Sequence, residues 1–205
     1  MDYTDFSIES IAGELGLSVG TGDLFVGLRP APVPPWLLDS LARGSRQFPQ
    51  SEKARSEFIV APILLACQDQ AAGPVSIQSG VRLDVDPARG LVGECDFIFS
   101  ATAPLPGLRA PLVTILEAKK HDIEAGIWQC FAQMVGARIF NERAGRPVDA
   151  VFGCVTNGEA WQFLRLGGPL AVIDSRRFYI DDVGSILAAF GSILGLRPAP
   201  SKLPE

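Results

Sequence analysis

The sequence predicts an α/β fold with a mixed central sheet flanked by helices, and three observations carry that expectation. Two short apolar runs, Leu91 to Phe99 (LVGECDFIF) and Leu112 to Lys120 (LVTILEAKK), read as buried strands. Two longer stretches, Ser51 to Gln68 and Ile123 to about Glu142, have the length and apolar content of helices packed on a core. The chain order is helix, strand, strand, helix, then a further strand pair, which suits a sheet covered by helices.

Each element has a local reason. Residues 5 to 17 suggest a short amphipathic helix with Phe6, Ile11 and Leu15 inward. Arg29 to Pro35 is too rich in proline for a regular element, and Trp36 to Leu41 reads as another helical turn. The first fifty residues are therefore expected to be an arm packed on the core. Ser51 to Gln68 (SEKARSEFIVAPILLACQ) begins polar and becomes almost wholly apolar from Phe58, so its later turns should be buried; Pro62 inside it predicts a kink or a late start. Asp122 is a candidate cap for the helix that begins at Ile123. Val151 to Thr156 and Glu159 to Leu166 flank Asn157-Gly158, a strong two-residue hairpin signal. A strand at Leu170 to Ile173 or Phe178 to Ile180 and a closing helix, Val183 to Leu194, complete the chain, and Arg197 to Glu205 is expected to be frayed.

The chemistry concentrates where the second apolar run ends. Alternate side chains of a strand share a face, so Glu117 and Lys119 project together from a segment that is otherwise buried. A divalent cation held by the carboxylate, with the ammonium beside a water or phosphate, gives that pair a function; a plain ion pair at a strand terminus is the alternative. Asp96 lies among Val92, Phe97, Ile98 and Phe99, where a carboxylate is desolvated unless it coordinates something or accepts from backbone amides. A hairpin of the two strands brings Asp96 next to Glu117, and a divalent cation relieves the repulsion of two such carboxylates. Glu57, the last charge before the apolar part of its helix, is either an outer group beside that cation or the helical partner of Lys53. On the helix after Glu117, Gln129, Gln133 and Gly136 share a stripe with Ala125, Gly126 and Ala132 nearby; the glutamines face either the Glu117 strand end or solvent.

Glu57 in a helix, Asp96, then Glu117-Ala118-Lys119, then Gln129 in the next helix is an order that resembles the PD-(D/E)XK nuclease superfamily. The likeness is to the nuclease domains at the start of type I restriction motor subunits and to small stand-alone bacterial relatives. It covers about Ser51 to Leu166 and departs from the family pattern at Cys95, where the superfamily's name places a proline. It implies a restriction-endonuclease-like core over residues 51 to 196. It also implies Mg²⁺ or Mn²⁺ bound by Asp96, Glu117 and the carbonyl of Ala118, with Lys119 orienting or deprotonating water and stabilising charge on the phosphate. Glu57 would stand at the metal's edge and Gln129 would orient the site, with Gln133 as a substitute. The implied activity is metal-dependent phosphodiester hydrolysis, with DNA as the expected substrate.

Composition sets limits on this reading. The chain has 205 residues, 47% of them hydrophobic, and a net charge of −5; its pI is near 5.0 and its mean hydropathy is +0.23. One well-cored domain fits that length. No stretch is apolar for a membrane span, and MDYTDFSIES lacks the features of a signal peptide, so a cytoplasmic protein is expected. Cys67, Cys95, Cys130 and Cys154 lack metal-knuckle spacing and read as reduced buried thiols, while His121, the only histidine, supports no zinc or acid–base role. The acidic balance opposes global attraction for a polyanion, although Arg43, Arg46, Lys53 and Arg55, and Lys119, Lys120, Arg138, Arg143 and Arg146, form local basic groups. Two other classes therefore stand beside the nuclease. One is a non-catalytic nuclease-like binding or assembly subunit that works with a DNA-binding partner; the other is a structural domain in which Asp96, Glu117 and Lys119 form a buried salt-bridge network. Apolar side chains at Trp36, Leu37 and Phe178 to Ile180 further suggest a homodimer or a stable complex with a DNA-binding partner.

Overall fold

The computed structural model describes residues 1–119 and 123–195; Lys120, His121, the Asp122 cap and the tail Arg197 to Glu205 lie outside the described residues. Alternation along the strands builds a mixed eight-stranded sheet with a separate apolar layer on each face. The strands are Ser18–Gly22 (β1), Ser76–Arg82 (β2), Glu94–Ser100 (β3), Leu112–Ala118 (β4), Val151–Thr156 (β5), Ala160–Gly167 (β6), Leu170–Asp174 (β7) and Phe178–Tyr179 (β8). They are ordered β1-β7-β6-β5-β4-β3-β2, with β8 also pairing β6. The β1–β7 and β4–β5 pairs are parallel, and the others are antiparallel. The expected hairpin of β3 and β4 forms, and both candidate segments near residues 170 and 180 are strands.

Along β3, Phe97 and Phe99 enter one layer and Ile98 the other; along β4, Leu116 and Ile115 divide in the same way. The helix Ile123–Arg143 (α5) crosses between parallel β4 and β5 and covers the Ile98–Ile115 face with Ile127, Phe131, Met134 and Val135. Its approach is close because the residue beneath it is a glycine: a Cβ on Gly153 of β5 would lie 2.5 Å from the Met134 sulfur and 2.9 Å from that of Cys130. The far end of the helix is tied to the start of β4. Asn141, wholly buried, accepts from the Leu112 amide at 2.7 Å and donates to the Leu112 carbonyl at 2.8 Å. Asn141→Leu leaves both backbone groups buried and unpaired, so a loss of roughly 2–4 kcal/mol is expected in denaturant unfolding.

The opposite layer is built by Pro35–Ser45 (α2), a π-helical turn Ser56–Val60, Ala61–Gln70 (α4) and Val183–Leu194 (α6), while the run Glu52–Arg55 (α3) leads into the π turn without a buried side chain. The discontinuity expected from Pro62 takes a specific form. The Ala61 amide donates to the Ser56 carbonyl, five residues back, and the chain passes through the wide turn without breaking. Pro62 has no N–H to offer the Phe58 carbonyl, and that carbonyl faces Gly44 of α2, where a Cβ would lie 2.3 Å from it.

The first fifty residues do more than pack on the outside. Tyr3, Phe6, Ile11 (on the short helix Ile8–Gly13, α1) and Leu15 join the α5 layer, Leu37 joins the other, and β1 forms an edge of the sheet. Tyr3 bonds the Leu83 carbonyl at 2.8 Å, over Gly136, where a Cβ would meet its hydroxyl at 2.3 Å. Of the side chains expected to remain uncovered, Leu37 and Phe178 are core residues, whereas Trp36 and Tyr179 are exposed. The β5–β6 turn also differs by one residue from the sequence reading. Thr156 pairs with Trp161 and the Asn157 amide bonds the Ala160 carbonyl, which makes Gly158-Glu159 the central pair. Gly158 supplies the positive φ, +87°, required at the first central position, and Asn157 accepts from the amides of Glu159 and Ala160. All four cysteines are buried free thiols. Among the described residues no helix is long and apolar enough to cross a membrane.

Candidate functional site

The β3–β4 register dictates the first contact of the site. Phe97 pairs with Leu116 and Ile98 with Ile115, so the next step toward the end of β4 sets Asp96 directly opposite Glu117 on the same face. Like charges directly opposite are unfavourable in a sheet. The ladder is altered here: the Ala118 amide donates to Asp96 Oδ2 at 2.7 Å. The backbone-amide alternative for Asp96 is thus realised on one of its oxygens.

Around Glu117 the expectations for Lys119 and Gln129 take definite geometry. Lys119 Nζ and Gln129 Nε2 donate to Glu117 Oε1 at 2.8 and 2.6 Å, and Lys119 Nζ also reaches Gln129 Oε1 at 2.8 Å. Gln133, placed above as a substitute for Gln129, acts together with it, donating to Glu117 Oε2 at 2.9 Å and to the Glu94 carbonyl at 3.3 Å. Both glutamines are buried, which removes the solvent-facing alternative, and their four-residue spacing is what stacks them on one helix face.

Glu117 is only 3% exposed. Burial, then the charge of Asp96, pushes its carboxyl up to about 7 against the opposing pull of Lys119 and Gln133. Burial also raises Asp96, over the lowering effects of the Ala118 amide and Lys119. For Lys119 burial pulls the pKa down, but the charges of Glu117, Glu52 and Asp96 outweigh it and the net shift is upward. The ammonium is therefore held protonated beside the Glu117 carboxylate.

Gly126 of α5 leaves room for the Lys119 stem. A Cβ there would lie 2.6 Å from Val155 and 3.0 and 3.3 Å from Lys119 Cγ and Cε. Gly126→Ala is expected to displace the Lys119 side chain and to cost about 1–3 kcal/mol through overpacking. A thermal melt combined with a shift in the Lys119 Nζ NMR resonance checks this.

Glu57 takes the alternative reading. It pairs with Lys53 at 3.0 Å, with both side chains largely exposed, so its carboxylate is engaged one helical turn back and is not gathered into the Asp96–Glu117 cluster. It does line the same cavity of about 530 Å³ as Asp96, together with Glu52, Lys53, Ser79 and Glu94. The helical carboxylate whose charge acts on both Asp96 and Lys119 is Glu52, five residues earlier, which sequence reasoning missed. Its only signal was an acidic residue after Ser51, which caps the segment by accepting from the Ala54 amide. Two of the arginines grouped with Lys119 in the sequence lie away from it. Arg138 bonds the Gly168 carbonyl and Arg143 the Val85 carbonyl, on the part of α5 that Asn141 ties to the beginning of β4.

Among the described residues no group of three or more His, Cys, Asp or Glu side chains is arranged to hold a metal ion. A cation here would draw on Asp96, Glu117, the Ala118 carbonyl and water. That oxygen set suits Mg²⁺, which keeps several waters and takes one or two carboxylates. The buried Gln133 Oε1, which has no hydrogen-bond partner among the described residues, is a further acceptor of the kind that solvent completes. No protein-family model matches the chain, and no curated protein matches its sequence. The fold and the site geometry therefore stand on the chain's own residues.

Proposed function

We propose that this protein is a metal-dependent phosphodiester hydrolase of the PD-(D/E)XK type, a DNA endonuclease with a restriction-endonuclease-like core. The observation that carries the reading is the half-buried Asp96 directly opposed to the buried Glu117 at the strand end, with a protonated Lys119 beside them. A poorly solvated carboxylate pair is relieved by a hard divalent cation, and an adjacent ammonium suits a phosphate. When bound, Mg²⁺ or Mn²⁺ polarises a phosphate oxygen and lowers the pKa of water. Asp96, Glu117 and the Ala118 carbonyl would hold it. Lys119 keeps a proton on Nζ, orients water and offsets charge at phosphorus. Gln129 and Gln133 fix the Glu117 carboxylate from α5, and Gly126 keeps the Lys119 stem in place. Among the described residues the cavity beside Asp96 carries Glu52, Glu57 and Glu94 against Lys53 alone, so a polyanion's approach there depends on cations.

A non-catalytic nuclease-like subunit is the second reading, favoured by the three donors that already satisfy Glu117. Its DNA contacts would come from a partner, and homodimerisation or a DNA-binding protein would supply the positive surface that a net charge of −5 lacks. Incubating supercoiled DNA with the purified chain, with and without Mg²⁺ or Mn²⁺, separates the two. Nicking that requires the cation supports the hydrolase; intact DNA together with calorimetric Mn²⁺ binding supports the subunit.

A further inference from the structure

A second cavity, of about 360 Å³, opens at the turn that follows β5 and is lined by Phe48, Pro49, Gln50, Arg55, Asn157 and Glu159 among others. Its volume falls within the range of about 300–1,000 Å³ typical of small-molecule sites. It adjoins the candidate catalytic centre through the backbone: the Lys119 amide donates to the Thr156 carbonyl at 2.7 Å, and Asn157 follows Thr156.

Two features mark its chemistry. Phe48 is 79% exposed and is the one non-glycine residue with positive φ, +48°, among the described residues. A large apolar ring held out to solvent in a backbone conformation that favours glycine is opposed by both hydration and sterics, and such outliers gather at functional sites. Arg55 is the second feature. Its Nε and Nη1 are bonded to the carbonyls of Pro49 (3.2 Å) and Asn157 (2.8 Å), which fixes the guanidinium plane, and among the described residues no carboxylate pairs with it. The wall therefore offers an aromatic face, an oriented cation with no described carboxylate bonded to it, amide groups with both donors and acceptors, and one carboxylate, Glu159, at the turn. That combination suits a nucleobase with its phosphate.

We propose that this cavity takes an unpaired base next to the phosphodiester held at Asp96, Glu117 and Lys119, with the base stacked on Phe48 and its phosphate directed toward Arg55. A base enters a concave site only when it has left the duplex stack. The substrate is accordingly a single strand, or a duplex with a flap, gap or frayed end. This proposal rests on the hydrolase reading for the identity of the neighbouring group.

The test measures binding without cleavage, using wild-type protein in Ca²⁺ with a fluorescent single-stranded DNA oligomer and a blunt duplex of the same sequence. Phe48→Gly removes the ring and accepts the positive φ, so it folds at least as well as wild type, and Phe48→Trp keeps a stacking face. Expected results are tighter binding of the single strand than of the duplex, a roughly tenfold loss for the single strand in Phe48→Gly, recovery in Phe48→Trp, and little change for the duplex. A 2-aminopurine in the oligomer should be quenched by wild type and not by Phe48→Gly. Equal single-strand affinity in wild type and Phe48→Gly overturns the base site, even if the protein cuts DNA with Mn²⁺. Phe48-dependent binding with no metal-dependent cutting keeps the base site and removes the hydrolase reading.

Discussion

Lys119→Ala and Glu117→Ala should each lower Mg²⁺- or Mn²⁺-dependent DNA cleavage by at least about 10²–10³-fold, the typical effect of removing one preorganised electrostatic group from a reacting centre. The geometry argues that the loss will not come from unfolding. In Lys119→Ala the buried Glu117 keeps its two glutamine donors, and a carboxyl already pushed up to about 7 can take a proton when its ammonium is removed. In Glu117→Ala the Lys119 side chain is partly exposed and can turn to water, while Gln129 and Gln133 lose an acceptor at a cost of about 1–3 kcal/mol. Circular dichroism melts should therefore show folded variants. Glu57→Ala should cut nearly as well as wild type, because its carboxylate is paired with Lys53 and exposed. Equal cleavage by wild type, Lys119→Ala and Glu117→Ala would assign the activity to a contaminant and remove the reading. An activity that depends on Glu57 as strongly as on Glu117 would show that the helix moves toward the site when substrate binds.

The parts of the fold that were legible in the sequence are those with a single strong periodic signal. β3, β4, β5, β6, α5 and α6 each combine sustained apolar content with clear punctuation, and the Glu117–Lys119 pair follows directly from strand alternation. β1 and β2 were not legible. SVGTG and SIQSGVR are sheet edges, with little side-chain burial to leave a pattern, and Gly80 in β2 has a φ of +63°. Phe48 and Arg55 were hidden for another reason: their significance lies in a cavity closed by the β5–β6 turn about a hundred residues away, and only tertiary contact reveals it. Glu57 and Glu52 show the limit of spacing arguments on a helix. Both are acidic residues before an apolar run, and which of them acts on Asp96 depends on the π-turn at Ser56–Val60, which local sequence signals only through Pro62. Gln133 was ranked below Gln129 because a helical stripe does not say how deep each position lies. Contact with both Glu117 Oε2 and the Glu94 carbonyl makes it the more buried of the two.

Divalent cation should stabilise the protein in a pH-dependent way. Glu117 has a folded-state carboxyl pushed up to about 7 from an ordinary value of 4.5 by burial and by Asp96, so the fold disfavours its ionised form. For an acid shifted in this direction the contribution to stability is complete below the ordinary value, declines as pH rises through the interval up to about 7, and is then level. Mg²⁺ or Mn²⁺ binds the ionised pair and competes with that proton. Millimolar Mn²⁺ should therefore raise Tm most at about pH 8, less near pH 6, and negligibly below about pH 5, with a proton released on binding near pH 6 to 7. Glu117→Gln should flatten both the metal-free slope and the Mn²⁺ response, since the neutral amide neither titrates nor supplies a charged ligand. Differential scanning fluorimetry over this range, with Ca²⁺ alongside Mn²⁺ and with calorimetry in buffers of different ionisation enthalpy, measures each part. A buried network that only braces the strand end would give the slope without the cation response. A Tm that Mn²⁺ does not move at about pH 8, or a rise that persists in Glu117→Gln, places any bound cation away from Asp96 and Glu117 and leaves their pairing as architecture.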